Sequence, residues 1–139
     1  DWTKLKEYMA ILLVGMFGSY LGYLLVPAVG PHHFYASRPP QLDGWLLGGP
    51  LHRVLMAAEG DMADAFPSGH ALMSMIVVAT TWRLHRPSFR IVLIPSLGCI
   101  LATVALRYHY AVDVAAAVAL LPAAIALGRA IHRARDRSA

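Results

Sequence analysis

Two short segments hold the residue types that phosphoryl chemistry uses. The first is Phe66-Pro67-Ser68-Gly69-His70. Pro67 stops any helix before it, and Ser68 is a good helix N-cap. The N–H groups of Gly69 and the next residues then point at one spot, as anion-binding helix N-termini do. Gly69 allows close approach of such an anion, and His70 sits beside it in the first turn. Taken alone, the segment also reads as a capped helix with an interfacial histidine. The second segment is Arg107-Tyr108-His109-Tyr110-Ala111-Val112-Asp113. His109 and Asp113 share a helix face if that helix has begun by residue 109. A neighbouring Asp fixes a histidine tautomer, supports the imidazolium and leaves the other ring nitrogen as nucleophile or base. The alternative is a buried Asp113 neutralised by His109 or Arg107. A third candidate is Arg38, in Ser37-Arg38-Pro39-Pro40, since arginine clamps phosphate oxygens.

The elements that must position these residues are apolar. Residues 8–27, 91–106 and 114–128 carry no charge, and residues 65–82 carry none apart from His70. A membrane-crossing helix needs about 20 residues. The first run meets that, and the other three are a little short, so their polar ends are expected at or slightly inside the interface. Four spans in alternation put Lys4, Lys6, Arg83, Arg86, Arg90, Arg129, Arg133, Arg135 and Arg137 on one side. Arg38, Arg53 and Arg107 fall on the other side, with most of the acids. The positive-inside rule then makes both termini cytoplasmic and turns all three candidate segments outward. Two histidines, an aspartate, two arginines and a helix N-terminus thereby meet on one side.

The Pro- and Gly-rich connection, about residues 28–67, breaks into turns. Within it Leu51, Leu55, Ala58 and Met62 share a helical face, with Arg53, Glu59, Asp61 and Asp64 off it. That pattern fits a short interfacial helix, with Phe34, Tyr35 and Trp45 at headgroup level. In the first span Gly15 and Ser19, and Gly18 and Gly22, are four apart, a spacing that lets helices pack closely. The Arg-rich stretch 129–137 reads as an anchor to anionic lipid.

Composition agrees. Of 139 residues, 58% are hydrophobic and 14% charged, with a mean hydropathy of +0.53. A soluble domain carries about 25% charge. The net charge of +4 comes from basic residues flanking apolar runs, which argues for a membrane and against nucleic acid. Cys99 stands alone, so no intramolecular disulfide forms. His32 and His33 are adjacent without a partner cluster, so no metal site is expected.

Pro67-Ser68-Gly69-His70, followed by His109 and Asp113, resembles the type-2 phosphatidic acid phosphatase superfamily, whose fold vanadium haloperoxidases share. Arg38-Pro39 matches the end of the family's first block, but Pro31 stands where the family has lysine. Ala102-Thr103 stands where it has Ser-Arg. Arg107 lies four residues after Thr103, one turn along the same face, and is expected to supply the missing guanidinium. Pro27-Ala28-Val29-Gly30-Pro31 and Leu106-Arg107-Tyr108-His109-Tyr110 resemble the inositol phosphorylceramide synthase branch. The resemblance covers roughly residues 27–120.

It implies an all-α membrane bundle, a single domain over residues 1–139. Four transmembrane helices plus the interfacial helix would form the catalytic core of a six-helix fold. The start at Asp1, without methionine, agrees with truncation ahead of residue 1. It also implies a lipid phosphatase or phosphotransferase without metal or cofactor. His109 would be the nucleophile, Asp113 its orienting partner and His70 the general acid. Arg38, Arg107 and the N–H groups near Ser68 and Gly69 would hold the phosphate. The expected partners are a phosphorylated lipid, the bilayer and a lipid alcohol acceptor. The competing readings are a vanadate-dependent oxidant-generating enzyme and a non-catalytic membrane scaffold.

Overall fold

A computed structural model describes residues 1–34, 54 and 65–137. Arg38, the expected interfacial helix and Tyr35, Trp45, Arg53, Glu59, Asp61 and Asp64 lie outside the described residues. The described elements are helical: α1 (Trp2–Leu25), α2 (Pro31–Phe34), α3 (Gly69–Leu84), α4 (Arg86–Ala105) and α5 (Ala111–Arg137).

Each boundary has a local cause. Asp1 caps α1 by accepting the Thr3 N–H at 3.1 Å. That cap and two further polar turns extend the helix ahead of the apolar run, and Pro27 follows its end. The Ser68 hydroxyl accepts the Ala71 N–H at 3.3 Å and opens α3 four residues later than the apolar run begins. His85 alone joins α3 to α4, closing one helix and capping the next through Nδ1, which accepts the Ser88 N–H at 3.3 Å.

Helix α3 is the hub. It packs on α1, α4 and α5, while α1 and α5 also pack on each other. The core follows helical spacing. Ile11, Gly15 and Ser19 are buried on α1, Leu72, Ile76 and Thr80 on α3, and Ala117, Ala124 and Gly128 on α5. Outside this narrow seam the surface is apolar. Ile91, Ile94 and Leu101 on α4 and Leu24 on α1 are each at least 71% exposed. A water-soluble surface does not carry so much contiguous apolar area. Helices α1, α4 and α5 are long and apolar enough to cross a membrane. The fourth expected span is α3, with 16 residues or about 24 Å of rise. It is shorter than a full crossing because Pro67 and Ser68 delay its start. The molecule is an all-α bundle of membrane type.

The bundle has two chemically different ends. At one, Glu7 ties three helices together: Arg129 Nε donates to its Oε1 at 3.2 Å, and Arg83 Nη1 lies 3.7 Å from the same oxygen. Lys4, Lys6 and the C-terminal arginines of α5 belong to this end. The other end holds the start of α3, the start of α5 and the end of α1.

Candidate active site

The site end is held together by backbone hydrogen bonds between distant segments. The residues after α1 and before α3 are pinned together, with the Ala65 N–H donating to the Ala28 carbonyl at 2.9 Å. The Phe66–Pro67 peptide bond is cis. The Ser68 N–H then donates to the Asp113 carbonyl at 3.2 Å, locking the N-terminus of α3 to that of α5.

Helix α4 ends in a Schellman motif. The Tyr108 N–H reaches the Thr103 carbonyl at 3.1 Å and the Arg107 N–H reaches the Val104 carbonyl at 3.0 Å. The His109 N–H also donates to the Thr103 carbonyl, at 3.0 Å. Arg107 occupies the left-handed position of that motif, with φ of 63°, where glycine is usual. This corrects the expectation that Arg107 continues the face of Thr103. The helix stops at Ala105, and Arg107 is carried by the turn, half-buried, two residues before His109.

His109 is buried. Its Nδ1 lies 2.8 Å from the Ala65 carbonyl oxygen. A carbonyl only accepts, so Nδ1 carries the proton, and in the neutral ring Nε2 is the unprotonated nitrogen. The Asp113 carboxylate lies 3.7 Å from Nδ1. This differs from the expected arrangement, in which Asp113 shares a helix face with His109 and itself fixes the tautomer. The reason is the helix boundary. Helix α5 begins at Ala111, so His109 precedes it, and Asp113 in its first turn reaches back to accept the Tyr110 N–H at 2.7 Å. That is half of a capping box, and it suits a carboxylate at a helix N-terminus. Ala65 therefore sets the tautomer, while buried Asp113 supplies negative charge beneath the ring.

His70 is exposed in the first turn of α3, and its ring centroid lies 6.1 Å from that of His109, at 59° between planes. The imidazoles thus approach one another across the junction of α3 and α5. Ser68 is fully buried. Its hydroxyl caps α3 and its N–H is held by Asp113, so Ser68 is a fastener rather than the anion ligand expected. The N–H groups of Gly69 and His70 lie in the first turn of that helix.

Gly69 acquires a second reason for lacking a side chain, because a Cβ there would overlap the Tyr23 hydroxyl. Sequence reasoning missed Tyr23. It extends the Gly15–Ser19 spacing by one more turn of α1, which was the available signal. It missed Ala65 too, whose role is purely a backbone carbonyl. At the two departures from the family pattern, Thr103 is buried with its hydroxyl donating to the Ile100 carbonyl at 2.7 Å, and Pro31 opens α2. Among the described residues no three His, Cys, Asp or Glu side chains gather as a metal site.

Fold and site together define a helical membrane bundle with paired imidazoles at one end. A family model described as the PAP2 superfamily matches residues 2–127. The chain belongs to the PAP2 superfamily, and that membership supports a phosphatase-type activity. No curated protein and no solved structure matches it.

Proposed function

We propose that the protein is a membrane-embedded phosphatase or phosphotransferase acting on a lipid phosphate ester through a phosphohistidine on His109. The observation that carries this reading is the pairing of His70 and His109, 6.1 Å apart, over a buried carboxylate. His109 Nε2 attacks phosphorus, forming the N–P bond as the bond to the leaving oxygen breaks. His70 gives its proton to that oxygen as general acid. Asp113 stabilises the cationic ring that results, and the Ala65 carbonyl keeps Nδ1 protonated throughout. In the second half His70 takes a proton from water, or from a lipid alcohol, as that oxygen attacks phosphorus and releases His109. Two smaller barriers replace one large one.

Arg107 and the first-turn N–H groups of Gly69 and His70 stabilise charge spreading over the equatorial oxygens, as fixed donors aimed at developing charge do. Arg38 is assigned the same role. No step needs a metal or cofactor.

The substrate's headgroup belongs at the site end and its chains among the apolar helix faces. The basic end, with Lys4, Lys6 and the α5 arginines, belongs in the cytoplasm by the positive-inside rule, which turns the site outward. The inositol phosphorylceramide synthase branch would make transfer to a lipid alcohol the physiological second half-reaction.

The experiment is a turnover panel of lipid phosphates and diphosphates, with and without lipid alcohols. It is run on the wild type and on His109→Ala, with acid-labile protein phosphate measured in parallel. The expected result is turnover and transient acid-labile phosphate in the wild type and neither in His109→Ala. Acid-labile phosphate in His109→Ala would overturn the assigned nucleophile. A folded wild type inert on the whole panel would favour a non-catalytic scaffold.

A further inference from the structure

A groove lies away from the site, between α1 and α5. It encloses about 730 Å³. Met9, Leu13, Phe17 and Leu21 line the α1 side at one helical period and are each at least 42% exposed. Leu127 and Ile131 line the α5 side. The lining runs from residue 6 to 21 on α1 and from 135 back to 120 on α5, about 22 Å at 1.5 Å per residue. That exceeds the depth of one leaflet, about 15 Å. The polar residues are confined to one mouth, at the basic end, where exposed Lys6 and Arg135 flank His132. Among the described residues no carboxylate lines the groove. The two adjacent in sequence are both paired, Glu7 with Arg83 and Arg129, and Asp136 with His132, Oδ2 to Nε2 at 3.3 Å.

We propose that this groove holds an anionic phospholipid of the leaflet at the basic end, with an acyl chain along the apolar lining and its phosphate between Lys6 and Arg135. An apolar trough with two cations at one end matches a molecule that is apolar along its length and anionic at one end. A second copy of the chain fits less well. A two-fold axis along the membrane normal would bring Lys6 and Arg135 of both copies to the same level, cation against cation. Each cation near an anionic headgroup contributes about fivefold to partitioning. The proposal rests on the helices lying in a bilayer and not on the phosphoryl-transfer reading.

The test uses the full chain reconstituted in equimolar phosphatidylglycerol and phosphatidylcholine vesicles. The protein is extracted in mild detergent and the retained lipid counted by mass spectrometry. The wild type is expected to retain phosphatidylglycerol about 25-fold over phosphatidylcholine, and Lys6→Gln/Arg135→Gln to fall near parity. Gly18→Leu fills the groove, since a Cβ at Gly18 meets no atom within 4 Å, and is expected to lower retained lipid while keeping the helical melt. His109→Ala is expected to retain lipid like the wild type, so that this result and the catalytic reading fail separately. Three results would overturn the proposal: equal retention of both lipids by the wild type, a preference that survives the double substitution, or a dimer that Gly18→Leu dissociates.

Discussion

The chain carries the spacing His-x-x-x-Asp twice, at opposite ends of α5. His132 and Asp136 sit within the helix, and His132 meets its partner through Nε2 at 3.3 Å, on a carboxylate whose side chain is 45% exposed. His109 stands ahead of the helix. Its Nδ1 faces Asp113 at 3.7 Å and the Ala65 carbonyl at 2.8 Å, and both side chains of the pair are buried. The first pair is an ordinary i, i+4 contact. In the second, a backbone carbonyl from a distant segment fixes the ring, and the carboxylate caps the helix and charges the pocket. Spacing is common to both. The helix boundary separates them: starting α5 two residues after His109 frees that ring from the helix surface and sets it against α3.

The comparison is broken most directly at the two histidine–aspartate pairs. His109→Ala is expected to lower turnover on a lipid phosphate on the order of 10⁴-fold or more. Asp136→Ala is expected to stay within about twofold. A comparable loss from both would mean that the two pairs are alike.

His70→Ala sharpens the contrast by splitting the chemistry. Removing a general acid costs about 10²–10⁴-fold. The deficit is expected to shrink on an aryl phosphate, whose leaving oxygen needs no proton, while His109→Ala stays inactive on both. A deficit of the same size on both substrates would remove His70 from the role of acid.

The two aspartates also differ in stability. Asp113 is 2% exposed and accepts the Tyr110 N–H, and its backbone carbonyl holds Ser68. Asp113→Ala removes the capping acceptor from that N–H, at a cost of about 0.5–2 kcal/mol. Asp136→Ala removes a half-exposed i, i+4 pair, worth a few tenths of a kcal/mol, about 0.2–0.5. Chemical unfolding in detergent measures both.

The same boundary explains what the sequence disclosed. The apolar runs marked all four long helices, because burial in lipid demands uninterrupted apolar side chains. They did not mark the helix ends, which follow capping chemistry at Asp1, Ser68 and His85. The residues His70, His109 and Asp113 were legible as types at a spacing. Their arrangement in space was not, since it depends on Ala65, a residue with no side-chain chemistry, brought to His109 across 44 positions of chain. Tyr23 was hidden for a related reason: only the folded bundle brings its hydroxyl against Gly69.

The smallest effect probes why an arginine occupies the turn that sets this boundary. Arg107 holds a left-handed backbone conformation, which costs an L-residue about 1–2 kcal/mol relative to the right-handed one. Glycine would relieve that strain but lose more entropy on folding, about 0.5–1 kcal/mol. Arg107→Gly is therefore expected to leave stability unchanged or raise it by up to about 1 kcal/mol, and to keep both Schellman hydrogen bonds. If the guanidinium serves the transferring phosphoryl group, the same substitution removes a charged hydrogen bond worth about 1.5–3 kcal/mol, roughly ten- to a hundredfold in turnover. A variant that is as stable as the wild type yet slower would show that the backbone strain at residue 107 is tolerated for the side chain it carries. A variant with unchanged turnover would leave the guanidinium without a part in the reaction.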